Sequence, residues 1–148
     1  MRIYMDVCCL NRPFDDMTRD RIHLEAEAVL AILARCQGDG WNLLSSGVID
    51  VELAKLSDPD KLEKVRNLYS VANEYLPLNA ETERLAKVFQ EYGVKPFDSL
   101  HLALATVHAA DIFLATDDKL LRLANSLTSG VRAANPAAWF MEALHNEY

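Results

Sequence analysis

The hydrophobic and polar positions of this 148-residue chain alternate between short extended runs and longer helical stripes. Residues 2–6 (Arg-Ile-Tyr-Met-Asp) read as an opening strand that ends in Asp6. Residues Asn11 to Asp16 read as a loop, because Pro13 interrupts regular structure and Asn and Asp favour turns. From about Thr18 to Cys36, Ile22, Ala26, Val29, Leu30 and Leu33 recur at helical spacing, and Gly38-Asp39-Gly40 ends that helix. Trp41 to Ser45 forms a second strand. Val48 to Leu56 follows as a helix stopped by Ser57-Asp58-Pro59. Asp58 then caps, and Pro59 opens, a helix whose buried stripe is Leu62, Val65, Leu68, Tyr69 and Ala72.

Tyr75 to Leu78 is a brief third strand, and Pro77 places it at a sheet edge because it removes a ladder donor. Asn79 caps a helix through about Tyr92, which Gly93 closes. The Lys95-Pro96 turn leads into a strongly apolar helix, Ser99 to Ala110, with Asp98 in its first turn. Asp111 to Ala115 is a fourth strand, and Asp117 and Asp118 open the helix that carries Leu120, Leu121 and Leu123. Val131 to Ala133 makes a fifth strand and Pro136 to His145 a final helix. Strands alternating with helices predict an α/β fold, with a mainly parallel sheet of about five strands covered by helices on both faces. No internal repeat, low-complexity segment or linker breaks the pattern, so one domain over 1–148 is expected.

Composition narrows the classes. An apolar fraction of 51% supports a sizeable core and argues against disorder. No apolar run approaches the roughly 20 residues of a membrane span. The opening residues lack the apolar stretch of a signal peptide, so a cytoplasmic protein is expected. Three cysteines (Cys8, Cys9 and Cys36), an odd number without Cys-x-x-Cys spacing, argue against a disulfide framework and a structural zinc site. Cys8 and Cys9 are neighbours, and at least one is expected to pack as a small hydrophobe. The net charge of −7 argues against non-specific affinity for nucleic acid. It does not argue against a nuclease, because a carboxylate site that takes up divalent metal inverts its own local charge.

Four separated acids carry the chemistry. In open parallel sheets ligands bind beyond the carboxyl ends of the strands. Asp6 ends the first strand, Glu52 lies in the helix after the second, Asp98 begins the helix before the fourth, and Asp117 lies just past it. Each also has a plain structural reading, as a cap, a dipole partner or a solvated helix residue. The context is apolar, however: Glu52 stands among Val48, Ile49, Val51 and Leu53, with Lys55 the one base near it in the chain. Unpaired burial of charge is costly, and one shared divalent cation would satisfy the set. Oxygen-only ligation selects Mg²⁺ or Mn²⁺, ions suited to phosphodiester hydrolysis. His101, one turn after Asp98, is within reach of the site, although a histidine on an apolar helix is more often packed and hydrogen-bonded than a ligand.

These pieces resemble PIN-domain nucleases, and within them the VapC-type ribonuclease toxins of toxin–antitoxin pairs. The resemblance covers almost the whole chain. It rests on Asp6-Val7-Cys8-Cys9-Leu10-Asn11-Arg12-Pro13, on Glu52 after Ser45-Ser46, on Pro96-Phe97-Asp98-Ser99-Leu100-His101-Leu102-Ala103, and on Asp111-Ile112-Phe113-Leu114-Ala115-Thr116-Asp117-Asp118. It implies a three-layer α/β/α sandwich, metal-dependent cleavage of RNA, frequent homodimers, and a small antitoxin partner that covers the site. Asp6, Glu52, Asp98 and Asp117 are then the catalytic acids, with Asp6, Asp98, Asp117 and Asp118 as candidate metal ligands. The family's usual hydroxyl two residues before the fourth acid would fall at Ala115, with Thr116 displaced by one. If Thr116 takes that role the fourth acid is Asp118; the spacing from the strand favours Asp117. Arg12, Lys119 and Arg122 flank the acids and are the candidate phosphate contacts, with ordinary surface charge as their plain reading. A PIN-like module that keeps the fold and serves only in protein–protein contact is the alternative.

Overall fold

A computed structural model describes residues 1–38, 40–127 and 130–147. Its strands are β1 (Arg2–Met5), β2 (Asn42–Ser46), β3 (Glu74–Leu76), β4 (Ile112–Leu114) and β5 (Ala133–Ala134). Its α-helices are α1 (Val7–Asn11), α2 (Asp20–Gln37), α3 (Gly47–Ala54), α4 (Pro59–Tyr69), α5 (Ala80–Glu91), α6 (Pro96–Val107), α7 (Asp118–Ser126) and α8 (Pro136–Glu147).

The sheet is parallel throughout, in the order β3-β2-β1-β4-β5. It is flanked by helices as an α/β/α sandwich, as expected. Ile3, Tyr4, Met5, Leu43, Leu44, Ile112, Phe113 and Leu114 are all buried. Neighbours along a strand face opposite sides, so runs of this kind require cover on both faces. Each such side chain contributes roughly 1.5–3 kcal/mol on burial.

The order places the site. The chain starts at the centre of the sheet, builds outward through β2 to the edge strand β3, and crosses back to β4 on the other side of β1. The direction of winding therefore reverses between β1 and β4, and the crevice beyond their carboxyl ends is where such sheets bind ligands. The Asp6 N–H donates to the Leu114 carbonyl at 2.9 Å, which fixes the ends of the two strands side by side.

Several expectations shift. The stretch expected as a loop, Asn11 to Asp16, holds a 3₁₀ turn, Arg12–Phe14, and the short helix α1 runs into it from Val7. The Asp6 carboxylate caps α1, and Pro13 sits where a helical start tolerates it. In α2, Leu30 is exposed, and the buried face runs through Glu25, Ala26, Val29, Ile32, Leu33 and Cys36. Ala26, Val29 and Leu33 of the expected stripe are thus buried, joined by Glu25 on the same face. The fourth strand starts at Ile112, because the Asp111 carboxylate takes the Arg2 N–H at 2.7 Å. The fifth strand is Ala133–Ala134. Gly38 ends α2, while Asp39 of the expected stop lies outside the described residues. Cys9 and Cys36 pack as small hydrophobes, as expected for at least one of the pair Cys8 and Cys9. Among the described residues no helix is long and apolar enough to cross a membrane.

Candidate functional site

Each acid is delivered by a chain reversal at the carboxyl end of the sheet. Asp6 leaves β1 and caps α1, with its Oδ1 accepting the Val7 N–H at 2.8 Å. The Cys8 thiol lies on its other oxygen at 3.4 Å and accepts the Thr116 N–H at 3.5 Å, so Cys8 spans the ends of β1 and β4. Ser46 ends β2 and caps α3 by accepting the Ile49 N–H at 3.2 Å. Glu52 lies in the second turn of that helix. Asp98 stands in the first turn of α6, which Pro96 opens. Asp117 caps α7, accepting the Lys119 and Leu120 N–H groups at 2.9 and 3.3 Å.

The centre of the group is buried. Asp6, the Glu52 carboxylate and His101 Nε2 each place an atom within 4.8 Å of the others. His101 Nε2 is hydrogen-bonded to Glu52 Oε1 and lies 3.9 Å from Asp6 Oδ1. Burial pushes the Asp6 carboxyl well above the usual carboxylate range; Asp98 and Glu52 add to the effect and His101 opposes it. Asp98 is half-buried and raised in the same way, by burial first, then by Glu52 and Asp117, against His101 and Lys95. Asp98 and Asp117 line one cavity of about 40 Å³ together with Lys95 and Lys119. That volume holds a few waters, at roughly 10–15 Å³ of such space each, and no nucleotide.

The adjacent aspartates diverge. Both oxygens of Asp118 take the Arg21 guanidinium, at 2.8 and 2.9 Å, and that pairing holds its carboxyl below the usual range. Asp118 lines a separate groove with Arg21, Leu24 and Asn135. The structure thus brings Asp6, Glu52, Asp98 and Asp117 together and leaves Asp118 outside. Arg12 is engaged away from the acids, 2.9 Å from both Glu25 and Asp15. Glu25 is 1% exposed and also takes Arg21 and Asn135. Arg12 therefore neutralises a buried carboxylate, whereas Lys119 lines the cavity beside Asp98 and Asp117. Arg122 is exposed on α7.

Tyr4, Ser46 and Lys95 are not among the residues expected at the site, and Cys8, expected only as a candidate packing residue, lies on the Asp6 carboxylate. Tyr4 donates or accepts at both Ser46 Oγ (2.9 Å) and His101 Nδ1 (2.5 Å), and burial raises its phenol pKa, which keeps it neutral. One signal was available: Tyr4 precedes Asp6 by two, and residues two apart on a strand share a face. Lys55, the base nearest Glu52 in the chain, lies 4.0 Å over the Phe97 ring.

Residues 9–126 match the family model of the PIN domain. The chain belongs to the PIN domain family. Among solved structures it is similar to VapBC2 from Rickettsia felis, determined bound to a DNA fragment from their promoter. The TM-score is 0.58 at 13% identity, over 91% of this chain and 98% of that one. Likeness at that identity is one of fold. No curated protein sequence matches the chain. In this PIN domain Glu52, Asp98 and Asp117 fall inside the matched span, and Asp6 lies just before it.

The donor chemistry fits a divalent cation. Donors that share one Mg²⁺ lie within roughly 4.2 Å of each other, twice the metal–oxygen distance, and the Asp6 and Glu52 carboxylates, within 4.8 Å of each other beside His101, are close to that spacing. A cation there would offset the repulsion that raises Asp6 and Asp98.

Proposed function

We propose that this PIN domain is a metal-dependent endoribonuclease, a hydrolase of RNA phosphodiester bonds, and the toxin of a toxin–antitoxin pair. The observation that carries the nuclease reading is the convergence of Asp6, Glu52, Asp98 and Asp117 where the sheet reverses its winding, around a buried carboxyl whose proton affinity is raised. Asp6, Asp98 and Asp117 would hold Mg²⁺ or Mn²⁺, with Glu52 beside them. A bound ion supplies phosphoryl polarisation, an activated water and relief of charge on the leaving oxygen. The chain's own part is to place and neutralise. Lys119 and Lys95, on the cavity shared with Asp98 and Asp117, contact backbone phosphates flanking the scissile bond. The burial of Asp6 keeps bulk water from screening the charges around it.

The toxin part of the reading rests on the resemblance to VapC-type toxins and on the fold likeness to VapBC2. It brings an antitoxin and a second copy of the chain as partners, a cytoplasmic location, and a single domain over 1–148.

Purified protein stripped of any partner is expected to cut RNA with Mg²⁺ or Mn²⁺ and not with chelator. Asp6→Asn and Asp98→Asn should each lower the cleavage rate at least 100-fold, an order typical of removing a group that acts in the transition state. An unaltered rate in both variants sinks the assignment of the site. No cleavage and no metal uptake by the wild type would leave a protein-interaction module.

A further inference from the structure

Unlike Asp6 and Asp117, Glu52 accepts no N–H from the helix that carries it. It lies near the end of a helix of only eight residues, beside the exposed Val51, and its side chain is 25% exposed. Among the described residues its carboxylate has one hydrogen-bonding partner, His101 Nε2. His101 itself is fully buried. Its second ring nitrogen is held at 2.5 Å by the Tyr4 hydroxyl, which also bonds Ser46 Oγ at 2.9 Å. Ser46 in turn accepts from the Ile49 N–H in α3. A continuous line of polar groups therefore runs from β1 through the end of β2 and from β1 through α6, and it terminates on Glu52.

Such a line has a cost unless it does something. A buried histidine and a buried phenol lose their water, and an apolar pair of the same shape would avoid that loss. Packing does not require the polar atoms: Tyr4 already stacks on Phe113, with ring centroids 5.7 Å apart. What the polar atoms add is direction. A ring whose one nitrogen is fixed can present the other at one point only, and here that point is the carboxylate of Glu52.

We propose that His101, aimed by Tyr4, is a positioning residue that holds the Glu52 carboxylate at the metal site. This rests on the nuclease reading above. The residue pair is specific in kind: a glutamine at 101 can still present an amide N–H near the position of Nε2, whereas an asparagine reaches only the Nδ1 side.

The test is Mn²⁺ binding by calorimetry, which needs no turnover, arranged as a double-mutant cycle. The wild type is expected to take up Mn²⁺. His101→Asn is expected to weaken that binding 10-fold or more, within the range typical when a group that orients a metal-site carboxylate is removed. His101→Gln should recover most of the loss. In a Glu52→Gln background, His101→Asn should cause no further weakening, because its effect passes through Glu52. If His101→Asn binds Mn²⁺ as tightly as wild type, or weakens it equally with Glu52→Gln present, the positioning role is wrong. If His101→Asn does not fold, Tyr4→Phe carries the same cycle, since it keeps the ring that stacks on Phe113. Several-fold weaker binding in Tyr4→Phe, absent with Glu52→Gln, supports the proposal, and wild-type affinity overturns it. Failure of the wild type to bind Mn²⁺ would instead overturn the nuclease reading, and this inference with it.

Discussion

Asp6 pairs two conflicting roles. It caps α1 and it sits in the buried centre of an acidic group. Its carboxyl pKa in the fold is raised above the ordinary 3.8, chiefly by burial. Below the ordinary value both folded and unfolded chains hold the proton, and the group costs nothing. As pH rises towards the raised folded value, the unfolded chain gives up its proton first, and the fold loses stability until that value is passed. Asp6→Asn removes this loss and keeps the cap, since Asn caps a helix as well as Asp. Without metal, the variant is expected to melt above wild type at pH 7, by roughly 2–4 °C for each kcal/mol recovered. The advantage should vanish towards pH 4. Adding Mn²⁺ should reverse the order, because an ion that binds only the folded wild type stabilises it by mass action. Thermal scans across pH, with and without metal, check all three statements; a variant that melts below wild type at pH 7 in chelator contradicts them. Asp6, Glu52 and Asp98 stood out in the chain because each follows or opens an apolar run, whereas Asp117, one of two adjacent aspartates, was separated from Asp118 only by its spacing from the strand. The group that secures Glu52 did not stand out. Tyr4 and Ser46 come from two different strands, and His101 read as an ordinary packed histidine, which it also is.

Two helix ends of the same design differ by one residue. After α5, the Gly93 N–H donates to the Gln90 carbonyl and the Val94 N–H to Phe89, with Gly93 at φ 98°. After α6, Ala109 donates to Thr106 and Ala110 to Ala105, with Ala109 at φ 55°. Both are left-handed helix stops that satisfy the last carbonyls, and the apolar residue beyond each packs back on its helix. Only the second places a Cβ in the left-handed region, at roughly 1–2 kcal/mol before the unfolded-chain entropy of glycine is set against it. Ala109→Gly is therefore expected to stabilise the fold by about 0.5–1 kcal/mol. Gly93→Ala should destabilise it by about the same amount, strained by its φ although the space around it is open. Denaturant midpoints at constant slope measure both; equal signs would contradict the argument. The first stop was legible because glycine announces it. The second was not, because alanine reads as helix, and the helix was carried three residues too far. The short α1 escaped for the opposite reason: Asp6 read as a strand end, and its capping bond shows only once the backbone has turned.

At the scale of the whole molecule, a net charge of −7 must be reconciled with the RNA substrate proposed above. The distribution of the cations resolves the conflict more than their number. Arg12 and Arg21 are spent on Glu25, Asp15 and Asp118, so they hold the fold together and offer little to a ligand. Lys95 and Lys119 stand on the cavity shared by Asp98 and Asp117. Binding of single-stranded RNA should then depend on salt only weakly. Each phosphate neutralised contributes a slope of about −0.7 in log K against log salt, so two lysines give about −1.4. Lys119→Ala is expected to reduce the slope by about 0.7 and to weaken RNA of any sequence alike, with the melting temperature unchanged. Arg12→Ala should do the reverse. It leaves Glu25 short of a partner, costs about 1–3 kcal/mol of stability, and leaves the salt slope where it was. Fluorescence titrations in chelator, with Asp98→Asn as the background expected not to cleave, at several salt concentrations separate the two. A slope that falls in Arg12→Ala and holds in Lys119→Ala would mean that the substrate crosses the Glu25 side of the molecule, and that the cavity beside Asp98 is not its path.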